Sequence, residues 1–328
     1  MKMIVTLFAI LVNFWILPAY ANADLPGVDK FISEMSEKHN FNSQQLAELF
    51  AEVEVKDSIL KAISRPAEKS KPWYDYRKIF ITDKRIKGGV KFWRQHQQAL
   101  TDAEAKYGVP AEVIVAILGV ETRYGGNVGS YRVIDALSTL AFRYPPRSKF
   151  FRSELKHFLL LSREEDKYLL DPIGSYAGAM GLGQFMPSSY REYAVDFDGD
   201  GQRDIWENPV DAIGSIANYL KRHGWVAGES ITHKTKFAGS VATDLIEKGY
   251  KPSISREELS TAGVSLQSLP VGQDDIAIIS LTQKKGEEYW LARQNFYAIT
   301  RYNHSRMYAM AVTQLAEAIE QGYEAKRK

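Results

Sequence analysis

Between Pro110 and Val120 the chain reads Pro-Ala-Glu-Val-Ile-Val-Ala-Ile-Leu-Gly-Val, with Glu112 the only charged side chain. A segment apolar on nearly every face, opened by a proline suited to a first helical turn, predicts a helix walled in on all sides. A chain carrying it must build a helical domain around it. The helix runs directly into Glu121-Thr122-Arg123-Tyr124-Gly125-Gly126. A carboxylate at the end of a buried helix is poorly solvated, and desolvation raises a carboxyl pKa. That is the setting a general acid needs to hold its proton near neutral pH. The glycine pair ends the helix and leaves room for a ligand. The residues also allow a structural role, in which Glu121 pairs with Arg123 or another arginine at the surface.

The rest of the 328 residues must supply the walls. With 42 Lys+Arg against 40 Asp+Glu and a hydrophobic share of 45%, the composition is that of a globular chain. Near-zero net charge gives no reason to expect a nucleic-acid partner. The absence of cysteine excludes a disulfide framework, Cys-ligated zinc and a thiol nucleophile. Residues 24–104 read as an N-terminal helical region. Ser43 is placed to cap a second helix, and Pro66 and Pro72 break the pattern before Trp73-Tyr74-Asp75-Tyr76. Residues 105–225 are mostly helical and densest in chemistry. Residues 226–300 form a mixed region. There, Ile276–Leu281 and Tyr289–Ala292 read as strands joined by a turn at Lys284-Lys285-Gly286. Residues 301–328 close with a helix from Arg306 to about Gln321. The fold class is mainly α with a small antiparallel β subdomain.

Met1 to Ala23 reads as a secretory signal: Lys2, an apolar run from Ile4 to Leu17, and small-x-small cleavage sites at Ala21 and Ala23. The alternative, a membrane anchor, suffers from a run shorter than the roughly 20 residues a spanning helix needs. The expectation is an exported, periplasmic protein without a membrane anchor.

Gly174 to Ser189 packs four glycines into one stretch, with Gln184 as a polar side chain in its middle. Small residues let a backbone approach a ligand or a helix closely, and either use fits. Three blocks, Gly119-Val120-Glu121-Thr122-Arg123-Tyr124-Gly125, Ala177 through Ser189, and Ile299-Thr300-Arg301-Tyr302-Asn303, together resemble the membrane-bound lytic murein transglycosylase B family. The likeness runs from the Trp73 cluster to Glu317. The missing lipid-anchor cysteine departs from the anchored member and is similar to the soluble variants.

The resemblance implies a lysozyme-like catalytic core that cuts peptidoglycan between N-acetylmuramic acid and N-acetylglucosamine without water, leaving a 1,6-anhydromuramoyl end. Glu121 matches the family's sole catalytic carboxylate, acid first and base afterwards. Ordinary glycosidases use two carboxylates, and no second acid stands beside Glu121 in these blocks. Ser175 and Gln184 match cleft-lining positions, and Tyr219 an aromatic supporting the sugar near the acid. Tyr302, Asn303 and Tyr308 match a C-terminal segment folded over the cleft, and Tyr76 an aromatic on the opposite wall. Arg147 matches a cation that meets the stem peptide's carboxylate. For Tyr76 and Tyr308, core packing is an equal alternative. The implied partners are glycan strands and stem peptides, with room for cell-wall synthesis proteins. The rivals are a hydrolase cutting the same bond and a non-catalytic peptidoglycan-binding scaffold.

Asp196-Phe197-Asp198-Gly199-Asp200-Gly201-Gln202-Arg203-Asp204 places oxygen ligands at alternate positions, with Gly201 sixth, as in an EF-hand-like calcium loop. Hard oxygens select Ca²⁺. Asp196, Asp198, Asp200 and Gln202 are the first ligands. Glu207 falls at the ordinary twelfth position, whereas the family's longer loop closes on a residue matching Asp211, and the loop is read as 196–211. The ion's expected role is structural.

Overall fold

The computed structural model describes residues 24–64, 71–166, 168–236, 243–267, 269 and 275–325. The expected export signal at residues 1–23 and the break at Pro66 lie outside them. Among the described residues no helix is long and apolar enough to cross a membrane.

The chain divides into two compact units, one ending at Val55 and the other beginning at Lys56. The region read as 24–104 therefore spans both. The first unit pairs helices Val28–His39 and Ser43–Ala51. Val28, Phe31, Ile32 and Met35 recur at helical spacing and are buried, and Phe31 meets Phe50 edge-on at 6.0 Å. The second helix is capped one residue earlier than expected. Asn42, not Ser43, is extended, and its side chain accepts from the Gln45 N–H at 3.0 Å. Asn is at least as good a cap as Ser, so the earlier position prevails.

In the second unit the apolar helix is Ala111–Thr122, with Pro110 as its N-cap. Its walls are helices Asp83–Gln95, Gln97–Tyr107, Pro209–Arg222 and Arg306–Glu324, all packed against it. Every residue from Val113 to Val120 is buried. A helical hairpin, Val133–Arg143 and Ser148–Glu164, is joined through the 3-10 turn Pro145–Arg147. Strands β1 (Tyr131–Arg132) and β2 (Ile173–Gly174) pair antiparallel and lead into the glycine-rich block. Helix Pro187–Tyr193 follows, with its proline in the first turn.

The small sheet holds β3 (Thr232–Thr235), β4 (Ala277–Thr282) and β5 (Glu287–Ala292) in the order β3-β5-β4, all antiparallel. Gly286, at φ 73°, turns the β4–β5 hairpin. β3 gives no apolar alternation in sequence, because on this edge strand Thr232 and His233 are only partly buried and Lys234 is exposed. Leu245, Ile254, Leu259, Ile276, Ile278 and Leu291 form the core of this subdomain. Helix Gln294–Tyr302 and the terminal helix Arg306–Glu324, one turn longer than expected, complete the unit.

Candidate active site and metal loop

Glu121 sits in the last turn of Ala111–Thr122. Beyond it Arg123, Tyr124 and Gly125 all have positive φ, at 54°, 62° and 87°. Two consecutive non-glycine residues in that region are strained and need outside support. The buried Thr122 hydroxyl donates to the Leu182 carbonyl at 2.9 Å and accepts from the Gly125 N–H at 3.0 Å. The Tyr124 hydroxyl donates to the Arg85 carbonyl at 2.8 Å, and Arg85 Nη1 donates to the Gly119 carbonyl at 3.0 Å. A Cβ at Gly119 would lie 2.5 Å from the Tyr124 hydroxyl, which explains a glycine inside an otherwise bulky helix.

The carboxylate is held by Tyr308, whose hydroxyl donates to Glu121 Oε1 at 2.5 Å. Tyr308 is 2% exposed. Its ring lies nearly parallel to that of Tyr302, with centroids 6.5 Å apart. Tyr302 donates to the Gly183 carbonyl at 2.5 Å. Burial, and then the charge of Glu121, push both phenols well above their ordinary pKa. They therefore stay protonated donors beside the carboxylate. Tyr219 packs edge-on to Tyr302 at 4.8 Å and donates to the Arg301 carbonyl at 2.6 Å.

The glycine-rich block carries Ser175 and Gln184. Ser175 Oγ accepts from the N–H groups of Ala177 and Ala179, at 3.3 and 3.1 Å, and shapes the turn. Gln184, at φ 53°, donates its amide to the carbonyls of Val128 and Gly181, at 3.1 and 3.0 Å. Both bonds use the amide nitrogen. Leu182, between them, is the residue Thr122 grips, so the block and the Glu121 turn form one piece.

The other expected site residues lie at varying remove. Tyr76, 1% exposed, packs on Phe80 at 5.1 Å, and its phenol raises the pKa of Tyr308. It presents no ring face to solvent. Asn303 is the extended C-cap of Gln294–Tyr302. Arg147 is exposed, with its guanidinium over Phe150 and Phe151 at 4.4 and 5.1 Å.

In the acidic loop, carboxylate oxygens of Asp196, Asp198 and Asp211 come within 4.8 Å of one another. Asp211 enters from the first turn of Pro209–Arg222 and accepts from the N–H groups of Phe197 and Asp204, both at 2.7 Å. It is 0% exposed, and burial raises its pKa despite those bonds. Glu207 is exposed and outside the cluster, as is the Asp200 carboxylate, which accepts from the Gln202 N–H. Three converging hard carboxylates, one fully buried, fit a divalent cation such as Ca²⁺.

The sequence matches the family described as the transglycosylase SLT domain over residues 24–317. The chain belongs to the SLT transglycosylases. The membrane-bound lytic murein transglycosylase B of Escherichia coli (strain K12) is 45% identical over 306 residues, covering 90% of this chain and 83% of that protein. The soluble lytic transglycosylase SltB1 from Pseudomonas aeruginosa is 54% identical, with a TM-score of 0.84, over 90% of this chain and 99% of that one. Escherichia coli lytic transglycosylase Slt35, solved in complex with calcium, is 44% identical with a TM-score of 0.82, over 92% and 95% of the two chains. The mainly α, lysozyme-like fold with small antiparallel sheets is the fold of these SLT transglycosylases.

Sequence reasoning gave no role to the residues that anchor the transglycosylase's Glu121 turn: Thr122 and Tyr124 entered only as members of the motif, and Arg85 not at all. Arg85, Thr122 and Tyr124 carry no chemical signature of their own. The signal was in the glycines: a Cβ at Gly88 or Gly89 would also fall within 2.8 Å of the Tyr124 ring or hydroxyl.

Proposed function

We propose that this lytic murein transglycosylase cleaves the N-acetylmuramic acid to N-acetylglucosamine bond with Glu121 as its single acid and base. The observation that carries the reading is the Tyr308–Glu121 hydrogen bond at the end of an otherwise apolar helix. Glu121, protonated, gives its proton to the glycosidic oxygen as the C1–O bond breaks. The resulting carboxylate takes the proton of the muramoyl 6-hydroxyl, whose oxygen attacks C1 and closes the 1,6-anhydro ring. No water is consumed, and the enzyme ends in its starting state. Tyr308 fixes the carboxylate and favours its ionised form after the first transfer. The buried carboxylates Asp135, Glu154 and Asp211 are engaged elsewhere: with Arg132, with Ser188 and in the acidic loop. Hydrolases with paired acids would leave reducing ends, which separates the two mechanisms by product.

Ser175, Gln184, Tyr219, Tyr302 and Asn303 line the sugar cleft, Tyr76 backs it through Tyr308, and Arg147 meets a stem-peptide carboxylate. Asp196, Asp198 and Asp211, with oxygens of Asp200 and Gln202, would hold Ca²⁺, which would supply the charge neutralisation that stiffens the loop. The protein works in the periplasm after losing residues 1–21 or 1–23. N-terminal sequencing of protein released by osmotic shock checks this, and an uncleaved Met1 refutes it. The decisive experiment is mass spectrometry of purified peptidoglycan digested by the wild type and by Glu121→Gln. Anhydromuramic ends from the wild type alone are expected. Reducing ends would make the protein a hydrolase, and unaltered activity in the variant would remove Glu121 from the chemistry.

A further inference from the structure

A run of hydrogen bonds leads from the acidic loop to the residue beside Glu121. Asp211 Oδ2 accepts from the Asp204 N–H at 2.7 Å. One residue on, the Ile205 carbonyl accepts from the Leu182 N–H at 2.8 Å. The Leu182 carbonyl in turn accepts from the Thr122 hydroxyl at 2.9 Å. That hydroxyl also accepts from the Gly125 N–H at 3.0 Å, which closes the strained turn after Glu121. Thr122, Leu182, Ile205 and Asp211 are all buried, so water cannot replace a partner lost at these joints.

The joints have little slack. A Cβ at Gly181 would lie 2.5 Å from the Ile205 carbonyl oxygen, and one at Gly125 would lie 2.8 Å from Leu182 Cδ2. Leu182 is thus seated on the loop by its N–H and on the Glu121 turn by its carbonyl and its side chain. The aim of the Thr122 hydroxyl is not the ordinary one. A helical threonine usually bonds the carbonyl four residues back. Here that carbonyl, Leu118, is 3.3 Å away, and the shorter bond reaches Leu182, 60 residues on.

The far end of this path is where a cation would act. The carboxylates of Asp196, Asp198 and Asp211 repel one another, and a divalent cation draws their oxygens together. Asp196 and Asp198 are open to solvent and can adjust freely. Asp211 is buried and can respond only by turning against its bonds to the N–H groups of Phe197 and Asp204. Such a turn moves the Asp204–Ile205 peptide, and with it the carbonyl on which Leu182 hangs.

We propose that Thr122 is a positioning residue for Glu121, and that its hydroxyl ties the placement of the carboxylate to cation binding in the acidic loop. Filling the loop orders the Leu182 bridge, and Thr122 passes that order to the turn on which Glu121 stands. The proposal rests on the calcium reading of the loop and on Glu121 as the acid.

The test uses the full chain, stripped of divalent cations, labelled with ¹⁵N-glycine and ¹⁵N-leucine, and titrated with calcium chloride. Gly199 and Gly201, whose N–H groups bond the Asp196 carboxylate, report filling of the loop. Leu182 and Gly125 report the path. All four amide resonances are expected to move with one Kd. In Thr122→Val, which keeps the shape and deletes the hydroxyl, Leu182 should still follow the loop while Gly125 loses most of its response. Thr122→Ser should restore it. In anhydromuropeptide release, calcium should raise the wild-type kcat about fivefold with KM unchanged. Thr122→Val should have a kcat about tenfold lower that calcium no longer raises, and Thr122→Ser should recover both.

A stationary Gly125 while Gly199 and Gly201 titrate overturns the proposal and leaves the calcium reading intact. So does a calcium response, in Gly125 or in kcat, that is equal in Thr122→Val and the wild type, which would make the hydroxyl a structural bond alone. A calcium effect confined to KM overturns it as well. Stationary Gly199 and Gly201 would remove the calcium reading and this proposal with it, while the product analysis with Glu121→Gln stands apart from either result.

Discussion

Gly119→Ala offers a sharp test of how the Glu121 turn is held. In an open helix the change would be stabilising by about 1 kcal/mol, because alanine is the better helix former. Here the new methyl would lie 2.5 Å from the Tyr124 hydroxyl and 2.8 Å from its Cζ. Those contacts are too close to persist, so the ring must move. Moving a side chain in a packed interior costs about 1–3 kcal/mol. The Tyr124–Arg85 hydrogen bond is lost with it, at about 1 kcal/mol. The sum, about 2–4 kcal/mol, exceeds the propensity gain and leaves a net loss of about 1–3 kcal/mol. For a unit this large that is a fall in Tm on the order of 3–10 °C. Tyr124 also supports the strained turn two residues past Glu121, so turnover should fall by about 10²-fold. Urea denaturation and anhydromuropeptide release measure the two effects. Tyr124→Phe removes the closest atom, so the double variant should be less damaged than the two losses added, with coupling of about 1 kcal/mol. A Gly119→Ala protein as stable as wild type or more so, or strict additivity with Tyr124→Phe, would refute the packing argument.

Tyr308→Phe keeps the ring and removes one charge-assisted donor, worth about 1.5–3 kcal/mol, so kcat should fall roughly 10- to 150-fold with little change in KM. A raised KM with kcat intact would make Tyr308 a substrate contact instead. Calcium should raise the Tm of the wild type and of Glu207→Gln but not of Asp211→Asn, and an equal rise in all three would displace Asp211 from the site. Glu112 has a folded pKa pushed up to about 7, by burial first and then by Glu320, Glu104 and Glu324. The folded state thus binds more protons than the unfolded state between about pH 4.5 and 7, and stability falls as pH rises through that window. Glu112→Gln should flatten the decline in thermal scans, and an unchanged slope would contradict the shift.

The parts of this molecule that were legible in sequence are those where one local pattern admits one solution. The wrap of apolar residues around Val113–Val120 required a central helix, and four helices enclose it. Ile278 and Leu291 announced their strands because both sides of the hairpin are apolar, whereas the polar edge strand at Thr232 announced nothing. The choice between Asp211 and Glu207 could not be made by counting along the loop. It depends on where the helix after Pro209 begins, which brings Asp211 back under the backbone of Phe197 and Asp204. Resemblance marked Tyr308 as facing the cleft, but its bond to Glu121 spans the fold, and no local pattern encodes such a pairing. Arg85 and Tyr124 were invisible because their roles are made of backbone carbonyls and missing methyl groups.

That bond to Glu121 joins residues 187 positions apart. A ribosome that has made the first three hundred residues has already made the carboxylate, but not the hydroxyl that seats it. A protease that clips the chain ahead of Arg306 produces the same half-equipped molecule. On the proposed mechanism, cutting power would depend on a hydroxyl made 187 residues after the carboxylate it seats. Copies of this murein-cutting enzyme without that hydroxyl should then be slowed at least as much as Tyr308→Phe, and should loosen the wall less.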